Sequence, residues 1–437
     1  MSSPHYIPQP VFDTLENVIE QYKSVYDAEN PRQIIRNWLN HCFRKAKITV
    51  PVYASKDYQL ILNFLYSYRG SADTFSAYRR DLERLLQWSW FVRERSVLKL
   101  KRDDIEAFIE FCIKPYKRWI GLHTVSRFKQ DKKETHHRVS NSRWRPFGVS
   151  LNKKDYKAGL KPQKDQYAFS QQALKALFSI LSSFYNYLLQ EEVIQSNPIA
   201  LIRQKSKFIR KEATVAAVRR LSEKQWDTVL NLAKEQAKKE KKHEREVFIL
   251  SCLYGMYLRI SELTANKQWI PSMKDFFKDN EGNWWFRTVG KGNKGRQIAV
   301  SSAMLEALKH YRKTYLELPP YPSPKETTPL VSFAHNKQRP ITSKRPIRQL
   351  VQRCFDQAAD KLESEGNHYE ADSLRLATVH WLRHTGISDD VKQRPREHVR
   401  DDAGHSSSAI TDRYINIELK ERAASAKKKR MLPSSTA

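Results

Sequence analysis

Apolar residues recur at helical spacing through most of this chain, and this pattern limits the possible fold more than any other feature. In QQALKALFSILSSFYNYLLQEEVI, which begins at Gln171, the spacing continues until shortly before the Asn197–Pro198 pair, where proline disfavours further helix. The segment TFSAYRRDLERLLQW places one apolar face on a helix, formed by Phe75, Tyr78, Leu82, Leu85 and Leu86. These patterns predict amphipathic helices packed around apolar cores.

One segment has the pattern of strands instead. NWWFRTV, GKGNKG and RQIAV follow one another between Asn283 and Val300, and they predict two strands joined by a Gly-rich turn. The chain is therefore expected to be mainly α with a small antiparallel β-sheet.

A basic stretch divides the chain. Residues 203–220, RQKSKFIRKEATVAAVRR, show little periodicity and predict a linker. The next segment, LSEKQWDTVLNLA, begins a new helix, with Ser222 and Gln225 placed for a capping box. At 437 residues the chain is long enough for two or three domains.

We therefore expect a helical extension at 1–50, a helical domain at 51–202 and a second domain at 221–437 with a C-terminal tail. Within the first domain, about 114–168 is basic, aromatic and too long for an ordinary connection. It is interpreted as an insertion, either for contact with DNA or another protomer, or as a solvated loop. The first alternative depends on basic residues near Trp119 and Trp144, namely Lys117, Arg118, Arg143 and Arg145.

The chain carries 78 Lys and Arg against 48 Asp and Glu, a formal net charge of +30. Such a field attracts polyanions. No stretch of about 18 apolar residues exists, and the N-terminus lacks the pattern of a signal peptide. Nucleic acid is therefore favoured over a membrane as partner. The candidate DNA-contact residues are Arg79, Arg80, Arg84, Arg203, Lys205, Lys207 and Arg210.

The cysteines are scattered without CxxC pairing, which predicts buried, reduced thiols, fits the cytoplasm and offers no zinc site. They are Cys42, Cys112, Cys252 and Cys354.

Four short motifs stand in order in the second domain: YLRISEL, GKGNKGR, HWLRHT and GHSSSAITDRY. They contain Arg259, Lys291, His380, Arg383, His405 and Tyr414. Each motif alone is weak, because a Gly-rich hairpin turn or a His-x-x-Arg pair is common in helical proteins. Together they provide the groups needed to attack a phosphodiester.

The chemistry of these residue types explains the combination. Guanidinium groups brace phosphate oxygens, a lysine can protonate a departing alkoxide, and histidine moves protons near neutral pH. Tyrosine supplies an oxygen nucleophile, although with a pKa of about 10 only about one phenol in a thousand is ionised at pH 7. Nearby arginines favour the phenolate. No acidic cluster for a two-metal mechanism accompanies the motifs, so no metal or cofactor is expected.

In motif order and spelling, the chain resembles the tyrosine recombinases of the phage integrase family, over about 221–420 and more loosely over 51–200. The resemblance implies that Tyr414 forms a 3′-phosphotyrosine while Arg259 and Arg383 bind the phosphoryl oxygens. Lys291 would protonate the leaving 5′-oxygen, with Lys294 as the reserve candidate. His380 would act as general acid/base and His405 would bond the phosphate. Glu262 would support Arg259, and His384 is interpreted as a structural neighbour of Arg383.

The resemblance also implies an architecture and partners. The expected form is a C-shaped clamp on DNA, with a SAM-like helical core-binding domain and a catalytic domain. Strand exchange would need neither metal nor ATP, and four protomers would assemble on paired recombination sites, with an accessory protein as a possible further partner. The protein would be cytoplasmic and nucleoid-associated, of bacterial or phage type, and its reaction would be the integration, excision or resolution of a mobile element.

Two positions depart from the family's pattern. Tyr257 stands where a glycine commonly precedes Leu-Arg, and REHVRDDAGH replaces an apolar helix ending Leu-Leu-Gly-His, bringing in Asp401 and Asp402. Two other functions remain as alternatives: a type IB topoisomerase, which relaxes supercoiled DNA without pairing sites, and an accessory DNA-binding protein without catalysis.

Overall fold

The structure, a computed structural model, describes residues 6–130, 138–200, 202, 208–209, 219–290, 294–405 and 407. The chain forms two compact units, Met1–Ala213 and Thr214–Ala437. Each unit has a hydrophobic cluster of its own. Both are mainly helical with small sheets, and the predicted fold class is confirmed in this respect. Most of the predicted linker, with Arg203, Lys205, Lys207 and Arg210, lies outside the described residues.

The first unit is built on helices. Among its described residues these are α1 (Leu15–Tyr26), α2 (Pro31–Phe43), α3 (Ala54–Ser67), α4 (Ala72–Phe91), α5 (Arg102–Ile113), α6 (Lys153–Lys157) and α7 (Gln171–Gln190). Residues expected to form a separate extension belong to the same core, because Phe12, Ile35 and Leu39 are fully buried in the cluster that α3, α4 and α7 also form.

Described parts of the segment at about 114–168 fold onto this core. Strand β1 (Ile120–Gly121) pairs in parallel with β4 (Phe147–Gly148), and β2 (Phe128–Gln130) pairs antiparallel with β3 (Arg138–Ser140). Trp119 and Trp144, at 1% and 6% exposure, are buried. Both tryptophans therefore pack in the interior, as they would not in a wholly solvated loop.

The second unit carries the four motifs. Among its described residues the helices are α8 (Glu223–Lys239), α9 (Glu244–Gly255), α10 (Ser302–Tyr311), α11 (Lys344–Ser364), α12 (His368–Leu376), α13 (Val379–Asp390) and α14 (Arg396–Ala403). Its strands are β5 (Phe276–Lys278), β6 (Trp284–Val289), β7 (Gly295–Ala299), β8 (Ser332–Phe333) and β9 (Asn336–Pro340). Strands β5, β6 and β7 form an antiparallel sheet in that order, and β8 pairs antiparallel with β9.

Two local predictions in this unit are confirmed. The predicted hairpin is β6–β7, with Arg287 opposite Gln297. The capping box at the start of α8 is present, since the Ser222 hydroxyl accepts from the Gln225 N–H and Gln225 Oε1 accepts from the Ser222 N–H at 2.9 Å.

Two composition-based predictions can also be compared with the structure. All four cysteines are buried and unbridged, as predicted. Within the described residues, every helix is too short or too polar to cross a bilayer.

Candidate catalytic site

Arg259 follows α9 and is held by the carboxylate of Glu262. The Arg259 N–H donates to Glu262 Oε2 at 2.8 Å, and its Nη1 donates to Glu262 Oε1 at 3.0 Å. The Glu262 side chain is buried at 1% exposure. Burial opposes ionisation, but hydrogen bonds and charge from Arg296 and Arg259 hold the pKa of this carboxyl below its usual value. Glu262 is thus an ionised anchor that fixes the guanidinium of Arg259.

Arg296, on β7, links the hairpin motif to YLRISEL and to the helix before His405, and it was missed by the sequence reasoning. Its Nη1 and Nη2 donate to the two Glu262 oxygens at 2.7 and 2.8 Å, and its Nε donates to the Asp402 carbonyl at 2.9 Å. This planar fork matches a carboxylate as a lysine could not. The signal in the sequence was the arginine that closes GKGNKGR.

The hairpin therefore reaches the first arginine. Gly290, directly before Lys291, lies so close to these charges that an added Cβ would be 3.1 Å from Arg296 Nη1 and 3.2 Å from Glu262 Oε1. Lys291 itself lies outside the described residues, and Lys294 lies directly before β7, where its carbonyl accepts from the Gly290 N–H at 2.8 Å.

Helix α13 brings the second arginine to the same place, and a glycine permits its approach. A Cβ on Gly386 would lie 2.1 Å from the Tyr254 carbonyl oxygen, so this position requires glycine where α13 crosses the end of α9. One turn earlier, Arg383 donates through Nη1 to the Tyr257 carbonyl and through Nη2 to the Ala403 carbonyl, the latter at 2.5 Å. With 2% exposure, Arg383 is held from both sides.

Two histidines stand beside Arg383 on α13. The rings of His380 and His384 meet edge to face with centroids 4.3 Å apart. Partial exclusion of water and the charges of Arg383, Arg259 and Arg219 lower the pKa of His380. Burial, then His380 and Arg383, lower the pKa of His384 to about 3. Arg219 was also missed; it lies near the end of the basic stretch before α8 and had no motif to mark it.

His405 completes the described cluster. It follows Gly404, which ends α14 at a φ of +63°, and its N–H donates to the Arg400 carbonyl at 3.1 Å. Burial and the charges of Arg383, Arg259 and Arg296 lower the pKa of His405 to about 4. Both His380 and His405 are therefore neutral at pH 7, in a form that can accept a proton.

The structure thus brings together four of the six predicted catalytic residues: Arg259, His380, Arg383 and His405. Tyr414, like Lys291, lies outside the described residues. Among the residues that the structure describes, no group of three or more His, Cys, Asp or Glu side chains is placed to hold a metal ion.

In the first unit, the candidate DNA-contact arginines of α4 differ from one another. Arg84 is buried, with Nη1 on Asp81 at 2.8 Å and Nε on the Pro146 carbonyl at 2.9 Å, so it holds α4 against the 114–168 segment. Arg79 is mostly enclosed and donates to the Asp13 carbonyl. Arg80 pairs with Asp81 at 2.9 Å but keeps 47% of its side chain exposed. Of the three, Arg80 is the most accessible to DNA.

The second unit is similar in sequence to known proteins. Residues 219–421, which contain all four motifs, match the phage integrase family. The second unit of the chain is thus similar to the phage integrase family. The matched residues include Arg259, Lys291, His380, Arg383, His405 and Tyr414.

Two curated relatives are similar to part of the chain. The tyrosine recombinase XerC of Pediococcus pentosaceus is 30% identical over 168 residues, which are 38% of this chain and 49% of that protein. XerC of Chlorobaculum parvum is 24% identical over 250 residues, 54% of this chain and 66% of that protein. The matched parts thus span 49% and 66% of the length of these two relatives.

A solved structure supports the fold over nearly the whole chain. The XerH site-specific recombinase, in a post-cleavage complex with its palindromic difH substrate, superposes with a TM-score of 0.53 at 14% sequence identity. The match covers 98% of this chain and 99% of that one. At this identity the likeness concerns the fold alone.

Proposed function

We propose that this protein is a site-specific DNA recombinase, which cuts and rejoins DNA strands through a covalent 3′-phosphotyrosine at Tyr414. The observation that carries the proposal is the convergence of Arg259, Arg383, His380 and His405, from three separate motifs, in one strongly positive cluster. Such a cluster is suited to a scissile phosphate, whose charge rises in the transition state.

In the proposed reaction, the Tyr414 oxygen forms a bond to phosphorus while the bond from phosphorus to the 5′-oxygen breaks. The phenolic proton passes to a neutral histidine, His380 or His405, whose lowered pKa keeps it able to accept one. Lys291 gives a proton to the departing 5′-oxygen. Arg259 and Arg383 stabilise the charge on the non-bridging oxygens.

Rejoining reverses these steps with a 5′-hydroxyl from a partner strand. Because the phosphotyrosine conserves the phosphodiester energy, the proposed cycle consumes no ATP, and the arginines and lysine take the part that metal ions play in other nucleases. We propose duplex DNA with paired recombination sites as substrate and a tetramer as the active assembly. Integration, excision or resolution of a mobile element is the proposed role, and an accessory protein is a further candidate partner.

The test begins with binding sites selected from a random duplex library by the Tyr414→Phe protein, which retains the DNA-contact residues. Duplexes of the selected sequence, each nicked at a different position, are then incubated with wild-type protein. A nick just beyond the cleavage point lets the short 5′-hydroxyl fragment diffuse away, so the covalent adduct accumulates and is seen on a denaturing gel. Mass spectrometry of the adduct should identify Tyr414.

The controls separate the alternatives. Tyr414→Phe should form no adduct at unchanged DNA affinity. An adduct on any sequence, together with relaxation of supercoiled plasmid without the selected site, would favour a type IB topoisomerase. If the wild-type protein forms no adduct on any nicked duplex, the remaining alternative is an accessory DNA-binding protein without catalysis.

A further inference from the structure

Tyr257 adopts a backbone conformation that favours glycine. Its φ is +50°, in the left-handed region that is unfavourable for residues with a Cβ. The side chain is nevertheless large and buried, at 1% exposure. A residue held in this way requires surrounding contacts that determine its conformation.

The Tyr257 hydroxyl supplies those contacts. It donates to Asp390 Oδ2 and accepts from Arg394 Nη1 at 3.1 Å, while the same Nη1 donates to Asp390 Oδ2 at 3.1 Å. The three groups thus form a closed triangle. It joins the segment after α9 to the end of α13 and to the loop that leads to α14.

Arg394 extends the network to α14. Its Nη2 donates to Asp402 Oδ2 at 2.6 Å, and Asp402 Oδ1 accepts from the Ala299 N–H at 3.2 Å. Asp402 is buried, with 7% of its side chain exposed. The acidic residue in the lead-in to His405 is therefore compensated by Arg394, which allows α14 to pack without the apolar pair expected at this position.

Both ends of the network adjoin the carbonyl groups that hold Arg383. One acceptor is the carbonyl of Tyr257 itself, and the other is the carbonyl of Ala403, the residue after Asp402. The left-handed turn at Tyr257 and the depth of α14 both determine where these oxygens lie. Displacement of either would move the guanidinium of Arg383.

We infer that Tyr257, Asp390, Arg394 and Asp402 form a positioning network that places Arg383, through two backbone carbonyls, for its contact with the scissile phosphate. The contact with phosphate rests on the proposed function, whereas the placement of Arg383 does not. These four are positioning residues, since Arg383 and not they would touch the substrate.

The first test compares two substrates. Arg394→Gln and Tyr257→Phe should each slow adduct formation on pre-bound nicked DNA about 10- to 100-fold, with DNA affinity changed less than about 3-fold. If the scissile phosphate is replaced by a methylphosphonate, which has no charge for Arg383 to neutralise, the loss relative to wild type should shrink to about 3-fold or less. Arg394→Lys should recover part of the rate, because it retains a charge for Asp402.

The control is Arg375→Gln, in the same unit. Arg375, on α12, forms surface pairs with Asp360 and Glu363 of α11, and its loss should leave both rates unchanged. An equal loss on both substrates for Arg394→Gln, or no loss on either, would overturn the positioning role. Should Arg394→Gln fail to fold, Tyr257→Phe and Arg394→Lys decide the question alone.

A second test needs no catalysis. With ¹⁵N-labelled histidine in the full chain, the His405 imidazole should titrate near its pKa of about 4 in the wild type. In Tyr257→Phe and Arg394→Gln its pKa should rise toward the ordinary value as Arg383 moves away. If the His405 pKa is unchanged in both variants, the positioning role is overturned. If instead the wild type forms no adduct, only the proposed function is lost, and this titration still tests the positioning of Arg383.

Discussion

Each unit contains a buried arginine that holds separate segments together through backbone carbonyls, and the two differ in what surrounds their charge. Arg84 in the first unit donates twice to the Pro146 carbonyl, lies 4.5 Å over the Phe147 ring and forms an ion pair of 2.8 Å with Asp81. Arg383 in the second unit donates to two carbonyls, and its charge lowers the pKa of His380, His384 and His405.

The difference shows how one residue type serves two purposes. The carboxylate of Asp81 balances the charge of Arg84, so the guanidinium of Arg84 serves to link α4 to the 114–168 segment. Around Arg383, further positive charge from Arg259 and Arg219 converges on His380. Concentrated positive charge of this kind opposes stability in the free protein and becomes favourable when an anion binds.

The largest effect should come from Arg383→Lys. A lysine keeps the charge but loses the fork, so we expect adduct formation on pre-bound nicked DNA to fall about 10³-fold, as when preorganised transition-state donors are removed. The matched change, Arg84→Lys, should lower thermal stability but leave the cleavage rate of bound DNA within about 3-fold. Comparable cleavage defects in the two variants would contradict the distinction between them.

The next largest effect is expected from a substitution at Gly386, where α13 approaches α9 closely. Since its Cβ would lie 2.1 Å from the Tyr254 carbonyl oxygen, Gly386→Ala should push α13 from α9 and lower the free energy of unfolding by about 3 kcal/mol. In the first unit, Gly148→Ala meets nothing nearer than 4.0 Å and should change it by about 0.5 kcal/mol or less. Urea unfolding of both variants measures the contrast, and equal midpoints would refute it.

The histidine cluster should make stability depend on pH. His405 and His384 have pKa values of about 4 and about 3 in the folded chain, whereas unfolded histidine titrates near 6.5. Unfolding therefore takes up protons between pH 6.5 and about 4, so stability should fall as pH is lowered through this window. Calorimetry of the full chain should show a decrease of several degrees in Tm from pH 7 to pH 5.

The matched variant for this effect is His384→Gln with His405→Gln. Without these imidazoles, the decrease in Tm between pH 7 and pH 5 should become smaller. A decrease as large as that of the wild type would assign the pH dependence to groups elsewhere in the chain.

The smallest effect concerns Arg80, whose side chain is 47% exposed. If it contacts a phosphate, Arg80→Gln should weaken DNA binding and reduce the slope of log affinity against log salt by about 1. Arg84→Gln should leave this slope unchanged, because Arg84 is already enclosed. Fluorescence anisotropy over a range of salt concentrations gives both slopes. Identical slopes for Arg80→Gln and wild type would show that Arg80 makes no phosphate contact.

Much of the second unit could be predicted from local pattern. The β6–β7 hairpin and the Ser222–Gln225 capping box depend on residues close in sequence, and both are present. The order of the four motifs was sufficient to select Arg259, His380, Arg383 and His405, which the fold brings together. The segment at about 114–168 was harder, because basic and aromatic residues suit a surface loop as well as a core that buries Trp119 and Trp144.

The sequence by itself determined the helical class and the identity of the motif residues on which the proposed phosphate chemistry rests, since these follow from short-range spacing and side-chain type. Only the tertiary structure decided which charges meet. Arg296 joins Glu262 across 34 positions, and Arg394 joins Tyr257 across 137. Such pairs depend on how α9, α13, α14 and β7 pack, because a buried carboxylate or an unusual backbone turn is tolerated only where distant segments supply its partners.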